Sequence, residues 1–361
     1  MPKEEQSNIL RIAAVLLIAV LVVYIMVEAS LILVPLAWSL FLSLLLLPVV
    51  QWLEDKKIPR FLAIISVLVL VSVILTVILY LLSLQVAGLL GDTPLVTANI
   101  NQWVVDFQEM LQRRFNISRE LFTQQLSSSL TDMINSALRE VRNSLFSLFR
   151  TVTLISIVPL FIFFMLYYRD VFYEGFLRIV KSYRSEASYL VNKVNKVLQK
   201  YLTGVMLVTL IIGVMFYVVL LLFGLNYALF FAVFLAIFNL IPYIGVIIAS
   251  FAVVLYAFAV SNSLLYPVGV LLALWIIQII ENNFITPYIV GSRVKLNPMV
   301  ALIAILVGSN IWGISGMILF LPLVGAIKVV FDEIEGLRPY GLLLGSTTNQ
   351  HPNPDSSSET Q

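Results

Sequence analysis

The sequence predicts an all-α integral membrane protein, a polytopic helical bundle, and three observations support this fold class. Of the 361 residues, 60% are apolar and only 12% are charged, whereas soluble domains average about 25% charged residues. The charges are also unevenly distributed, because five long apolar stretches contain a single charge, Glu28. These stretches are residues 12–53, 61–91, 151–168, 201–280 and 296–327. Uncharged apolar runs of about 18 or more residues are typical of membrane spans, so a soluble enzyme, a disordered tail protein and a nucleic-acid binder are excluded.

Several residue types that support catalysis or metal binding are missing from the sequence. It has no cysteine, and its one histidine, His351, lies in a polar tail. Disulfides, thiolate chemistry, a histidine-based catalytic triad and a multi-histidine metal site are therefore excluded. A phosphate-binding loop of the form G-x-x-x-x-G-K-[ST] is also absent from the sequence. We therefore expect no enzymatic activity, no cofactor and no bound metal.

The N-terminal region, residues 1–84, is predicted to cross the membrane three times. Its first apolar run is too long for one crossing, which takes about 20 residues. We place a tight turn at Glu28, Ala29 and Ser30, although one long tilted helix with a buried Glu28 is the alternative. The spans are expected near residues 10–27, 31–53 and 61–84.

The middle of the chain contains two amphipathic segments. Residues 85–145 show apolar stripes at helical spacing and are predicted to form an external helical segment. In residues 146–200 a fourth span, near 146–168, is followed by a basic amphipathic helix over 169–200. This helix could lie on the inner leaflet, where basic residues meet anionic lipid, or pack against a neighbouring subunit.

The transport core is predicted to comprise residues 201–335, and residues 336–361 are predicted to be a disordered cytoplasmic tail. Two apolar blocks of the core, 226–260 and 298–330, are too long for one span and too short for two. Each is interrupted in its middle by polar residues, glycine or proline, which end helices. The residues at the two interruptions are Asn239, Pro242, Tyr243 and Gly245, and then Gly308, Asn310, Gly313, Ser315 and Gly316. We predict that both blocks form re-entrant helical hairpins whose tips offer backbone groups to a ligand.

The basic residues predict how these segments are oriented, because cytoplasmic loops are enriched in lysine and arginine. Placing both termini inside puts Lys56, Lys57 and the basic segment 169–200 in the cytoplasm. The first hairpin then enters from outside and the second from inside. Two opposed span-plus-hairpin units form an inverted-repeat-like core, which is typical of secondary transporters. The alternative is two pairs of short kinked spans in a passive scaffold.

Glu281 is the one charged residue between Lys200 and Arg293. A carboxylate in hydrocarbon costs about 3 kcal/mol, so it must face protein or water. Gln278 and Asn282 share its helix face by their i, i+3, i+4 spacing, and Thr286 and Pro287 follow. We interpret this group as a proton- or ion-carrying site. The alternative is a structural carboxylate that caps a broken helix.

These motifs resemble the autoinducer-2 exporter family of bacterial membrane proteins over most of residues 30–335. The similarity is carried by Lys57-Ile58-Pro59-Arg60, Asn239 to Gly245, Gln278 to Gly291, Leu296-Asn297-Pro298, Gly308, Gly313 to Gly316 and Leu321-Pro322. The family usually has histidine where this chain has Asn297. The resemblance implies a bacterial inner-membrane homo-oligomer, such as a pentamer, with an elevator-like movement of its transport unit. Relatives of this kind export autoinducer-2 or exchange sodium or lithium for protons.

From these observations we expect a secondary transporter, or permease, that exports a small polar solute, such as the quorum-sensing signal autoinducer-2. A Na⁺(Li⁺)/H⁺ antiporter is the alternative within the same class, with a monovalent cation and a proton as its ligands. A non-transporting membrane scaffold is the further alternative. Membrane lipids are expected partners, and nucleic acid is not.

Overall fold

The computed structural model describes residues 3–92, 98, 99, 102, 105, 109, 152–180, 183–241, 244–261, 263, 265–290 and 296–345. These residues are mainly α-helical, and no β-strand occurs among them. Five of their helices are long and apolar enough to cross a membrane. The predicted all-α membrane fold is therefore confirmed. Most of the predicted external segment and Pro242 and Tyr243 lie outside the described residues.

Three helices form the N-terminal region: α1 (Lys3–Glu28), α2 (Ser30–Asp55) and α3 (Arg60–Gly91). The break between α1 and α2 falls at Ala29, where the backbone leaves helical geometry at φ −87° and ψ 14°. This is the position of the predicted turn. Pro35 and Pro48 lie inside α2, which continues through both.

The next helices are α4 (Val152–Tyr167), α5 (Arg169–Ile179) and α6 (Arg184–Leu222). The expected amphipathic helix over residues 169–200 is thus divided, and its second half is continuous with the following apolar segment. The first part ends at Ile179, and the second begins at Arg184. Because no proline occurs between residues 184 and 222, nothing interrupts the hydrogen-bond ladder of α6 along its 39 residues.

The first interrupted block consists of α7 (Ala228–Phe238) and α8 (Ile244–Val260), which pack against each other. Each helix is shorter than the roughly 20 residues that a full crossing takes. The next apolar block begins with α9 (Leu265–Ile280), widens into a π-helical turn (Glu281–Ile285) and ends with α10 (Thr286–Ile289).

The last long element is α11 (Pro298–Glu333), which is interrupted at Trp312 and Gly313. It is followed by a 3₁₀ turn (Glu335–Leu337) and α12 (Arg338–Leu344). The backbone N–H of Asn297 donates to the carbonyl of Leu344 over 2.9 Å, so α12 returns to the start of α11. The described part of the predicted tail is therefore helical.

The chain folds into two compact units, each assembled from separate segments of the sequence. The first unit comprises residues 1–67, 157–203 and 292–361, and the second comprises residues 68–156 and 204–291. The first unit has a small core around Phe41, Leu198 and Leu319. The second has a larger apolar core that includes α7, α8 and α9. Glu281 belongs to the second unit, and the interruption of α11 belongs to the first.

Candidate functional site

Glu281 is the only carboxylate or basic side chain that is buried among the residues that the structure describes, with 6% of it exposed. It lies in the apolar helical segment Leu265–Ile289, which is long enough to cross a membrane. Leu274 and Ile277, two turns and one turn before it, are buried in the core of the second unit. The sequence therefore places a carboxylate where it needs polar partners to offset its desolvation.

Two side chains of the same segment provide those partners. The hydroxyl of Thr286 donates to Oε1 of Glu281 over 2.6 Å. The side-chain amide of Gln278 donates to Oε2. Each carboxylate oxygen thus accepts one hydrogen bond, and both donors are neutral. Such bonds to a charged acceptor contribute about 1.5–3 kcal/mol each.

The π-helical turn explains why Thr286 can reach the carboxylate. Its backbone N–H donates to the carbonyl of Glu281, five residues earlier, which is the π-helical pattern. In an α-helix a residue five positions on would lie about 140° around the axis. The wider turn instead places Thr286 on the same side as Glu281.

Pro287 gives a physical reason for this widened turn. Proline has no N–H, and its ring clashes with the carbonyl four residues earlier, which here belongs to Asn283. The chain accommodates the ring by opening one turn without ending the helix. The side chain of Asn283 then donates to the carbonyl of Ile279 over 2.8 Å, so this acceptor has a partner. Single π-turns of this kind occur frequently at functional sites.

The structure does not bring every predicted residue to the carboxylate. Asn282 and Pro287 are exposed, whereas Glu281 is buried and Thr286 is half-buried. The predicted common face for Gln278, Glu281 and Asn282 assumed regular helical spacing. The hydrogen bonds instead join Gln278, Glu281 and Thr286, which we call the Glu281 cluster.

The end of α7 and the start of α8 lie close together. Asn239 is half-buried and its backbone N–H completes the last turn of α7 by donating to the carbonyl of Leu235 over 2.9 Å. Gly245 is buried, and a Cβ atom at that position would overlap the carbonyl oxygen of Phe238. Only glycine allows the start of α8 to approach the end of α7 this closely. The other two predicted residues here, Pro242 and Tyr243, lie outside the described part of the chain.

The interruption of α11 reverses the direction of the chain. Gly316 follows Gly308 by eight positions, which corresponds to about 12 Å along a continuous helix. A Cβ atom on Gly316 would nevertheless overlap the carbonyl oxygen of Gly308. The reversal occurs at Gly313, whose φ of +59° favours glycine. The two arms of α11 therefore form a helical hairpin.

Two tryptophans of the first unit hold the tip of this α11 hairpin. The indole N–H of Trp38 on α2 donates to the hydroxyl of Ser315 over 3.2 Å. The indole N–H of Trp312 donates to the carbonyl of Met26 on α1 over 2.8 Å. Asn310 is exposed, and its amide donates to the carbonyl of Leu306 one turn earlier. Ser315 thus has a structural partner, whereas Asn310 bonds only within its own turn among the described residues.

Polar residues that the sequence pattern does not single out fix the start of α7. Oε1 of Gln85 accepts a hydrogen bond of 3.0 Å from the backbone N–H of Phe230, one of the unpaired donors at a helix start. Tyr227, with a left-handed φ of 59°, donates to Asp92 over 2.6 Å. The sequence shows Gln85 as the one amide side chain in the apolar run 61–91, but it does not indicate the distant partner.

The described residues contain no group of three or more histidine, cysteine, aspartate or glutamate side chains that could hold a metal ion. The Glu281 cluster contains one carboxylate, one hydroxyl and one amide. It can accept a proton, or bind a small cation if the hydroxyl and amide turn their oxygens inward.

Comparison with known proteins finds relatives over most of the chain. A family model described as AI-2E family transporter matches residues 13–336. YrrI of Bacillus subtilis strain 168, named as a candidate transport protein, is 28% identical over 317 residues, covering 84% of this chain and 87% of YrrI. A candidate transport protein of Haemophilus influenzae strain Rd is 26% identical over 323 residues, covering 88% of this chain and 91% of that protein. PerM of Escherichia coli K12, named as a candidate permease, is 27% identical over 233 residues, covering 62% of this chain and 65% of PerM.

Proposed function

This chain belongs to the AI-2E family of transporters, and we propose that it is a secondary transporter that exports a small polar solute, with autoinducer-2 as the first solute to test. It is a multi-pass membrane protein of a transporter and permease family. The observation that carries the proposal is the Glu281 cluster, a buried carboxylate held by two neutral donors inside an apolar helix. A lone carboxylate at this depth is a functional-site hypothesis by default.

The cluster supplies a physical means to couple proton binding to a local change. The observed contacts fit an ionised Glu281 that accepts from both Thr286 and Gln278. A protonated carboxyl has one O–H to donate, and within the cluster the acceptor of this O–H would be the oxygen of Thr286 or of Gln278. Protonation would therefore reverse one hydrogen bond. If the reversed bond is the one to Thr286, which spans the π-turn, the helix would change at its least regular point.

The two interruptions are our candidates for solute contacts. The first candidate lies between the end of α7 and the start of α8, with Asn239, Gly245 and the predicted Pro242 and Tyr243, since helix ends in general carry backbone groups without intrahelical partners. The turn of the α11 hairpin exposes Gly313 and Asn310 and includes Gly308, Ser315 and Gly316. Broken helices in transporters bind polar substrates through such groups. The predicted elevator-like movement, the inner-membrane location with both termini inside and the homo-oligomer, such as a pentamer, form part of the same proposal.

A cation–proton antiporter is the second candidate, and the Glu281 cluster also motivates it. One carboxylate with hydroxyl and amide oxygens could bind a monovalent cation in place of a proton. In the observed arrangement both partners donate to the carboxylate, so cation binding would require both to rotate. The geometry therefore favours binding of a proton by the Glu281 cluster over binding of a monovalent cation.

The test is transport by the purified protein in proteoliposomes that contain a pH-sensitive dye. Export of autoinducer-2 that depends on a proton gradient, and that is absent from protein-free liposomes, is the expected result. Proton movement driven by sodium or lithium without any organic solute would replace this proposal with the antiporter. Failure of every solute and cation tested to cross with protein present would favour a membrane scaffold.

A further inference from the structure

Helix α5 has a buried face and an apolar face that has no partner among the described residues. On the buried face, Leu177 is only 3% exposed, and the hydroxyl of Tyr173 lies 2.6 Å from the Ser188 hydroxyl on α6. The opposite face carries four large apolar side chains with exposed fractions between 46% and 84%. They are Val171, Phe172, Phe176 and Ile179. Their positions, i, i+1, i+5 and i+8, fall within one side of a helix, which we call the outer face of α5.

The outer face of α5 begins at the end of an apolar helix. A single residue, Tyr168, separates α5 from α4, which carries no charge. Phe164 and Tyr168 are both exposed at this junction, and their rings stack with centroids 6.1 Å apart. Aromatic side chains are enriched where membrane helices reach the headgroups. If α4 lies in the bilayer, α5 therefore starts at its surface.

Helix α5 forms ion pairs that leave one of its basic side chains without an acidic partner among the described residues. Its two acidic residues are each paired with an arginine: Asp170 with Arg60 over 2.7 Å, and Glu174 with Arg184 over 3.0 Å. Arg178 is exposed and has no ion-pair partner among the described residues. It lies next to Val171 around the helix, at one edge of the outer face.

A second basic group lies beside the start of α5. Arg60 is the first residue of α3, directly after the connection from α2, and its guanidinium also donates to the carbonyl of Tyr167 over 3.3 Å. The same connection carries Lys56 and Lys57, both exposed. The Lys56 ammonium lies 3.5 Å from the centre of the exposed Trp52 ring. This pairing of tryptophan and lysine is typical of a membrane interface.

We infer that the outer face of α5, together with Lys56, Lys57 and Arg178, binds the anionic phospholipid headgroups of the leaflet at which α4 ends. The apolar side chains would enter the boundary between headgroups and acyl chains, and the basic side chains would contact phosphate. A two-fold contact of this face with the same face of a second copy fits less well, because it would bring like charges together. The inference is independent of the transported solute.

The depth of the outer face can be measured directly, because the sequence has no cysteine to give background labelling. Spin labels would be attached to Ile179→Cys and Phe172→Cys in nanodiscs of phosphatidylcholine with phosphatidylglycerol. Both labels should collide more with oxygen, which concentrates in lipid, than with a water-soluble nickel chelate. A label at the exposed Ser185→Cys is the aqueous control. Equal access of the chelate to Ile179 and Ser185 labels would overturn the inference, as would exclusion of both reagents, which would indicate a covering subunit.

The charge requirement is tested separately by the affinity of the protein for spin-labelled phosphatidylglycerol in phosphatidylcholine nanodiscs. Lys57→Gln and Arg178→Gln should each weaken binding about fivefold. The charge-preserving variants Lys57→Arg and Arg178→Lys should bind as the native protein does. Equal affinity of the glutamine and charge-preserving variants would overturn the electrostatic part of the inference.

Discussion

The hydroxyl of Thr286 lies 2.6 Å from Oε1 of Glu281, five residues earlier in the chain. The backbone N–H of Thr286 donates to the carbonyl of the same glutamate. One residue therefore binds both the side chain and the main chain of Glu281, so a change in the carboxyl group and a change in the π-turn are mechanically linked. The proposed coupling of proton binding to a change in the helix rests on this linkage.

We predict that Glu281→Gln keeps the fold and abolishes coupled transport. Glutamine preserves the size of the side chain and can still accept from one donor, but it cannot ionise. Thermal stability and oligomeric state of the purified variant should match those of the native protein, while proton-coupled flux in proteoliposomes is lost. If the folded variant transports at the native rate across pH, Glu281 has no part in coupling, and if the variant unfolds, its carboxylate is structural.

A second prediction concerns Thr286 and separates the effect of its hydroxyl from the effect of its side-chain shape. Thr286→Val removes the donor while keeping the branched side chain, and should cost about 1.5–3 kcal/mol of stability because it leaves a carboxylate oxygen without its partner. Thr286→Ser retains the hydroxyl and should transport. Equal flux and equal melting temperature for the two variants would show that the 2.6 Å contact has no energetic role.

The fold class was predictable from long apolar stretches, and the family was predictable from several motifs that lie close together in the sequence. Apolar stretches longer than a membrane span specify helices regardless of detail, and the motifs from Gln278 to Gly291 identified the family that the comparison confirms. The breaks at Ala29 and Gly313 were predictable because each apolar run is too long for one span and has one place where charged, polar or glycine residues cluster.

The π-turn and the tryptophan contacts were not predictable. A pattern with a period of 3.6 residues assumes one register, and the π-turn changes that register, which brings Thr286 to the side of Glu281. The hydrogen bond from Trp38 to Ser315 joins residues 277 positions apart. The sequence around either residue does not indicate that the other is its partner. Contacts between residues so far apart in the sequence depend on how the helices pack, and the pattern of a single sequence does not give that packing.

A third prediction tests the close approach inside the α11 hairpin. Gly308→Ala and Gly316→Ala each place a Cβ atom closer than 3 Å to the facing backbone, so each should destabilise the protein by about 1–3 kcal/mol. Gly175→Ala is the matched control, because a Cβ atom there would contact nothing within 4 Å. Melting temperatures in detergent measure the effect, and an unchanged value for both hairpin variants would contradict the packed arrangement.

The predicted orientation of the segments can be tested by labelling single cysteines in intact cells with a membrane-impermeant maleimide. Cysteines in place of Ser261 and Ser263, after α8, should react from outside, and one in place of Ser292 should react only after lysis. The odd number of crossings that we predict between these positions requires this difference. Reaction of all three from one side would rule out the opposed orientation of the two interrupted blocks.

A final prediction is a double-mutant cycle on Trp38 and Ser315. Their 3.2 Å hydrogen bond joins α2 to the α11 hairpin tip, and either Trp38→Phe or Ser315→Ala should cost about 1 kcal/mol by removing one partner. The double variant should cost less than the sum of the two, because the bond can be lost only once. Additive losses of stability would mean that the two side chains act independently. If the hairpin tip also changes shape during transport, both single variants should alter flux to a similar extent, since each removes the same restraint on Ser315.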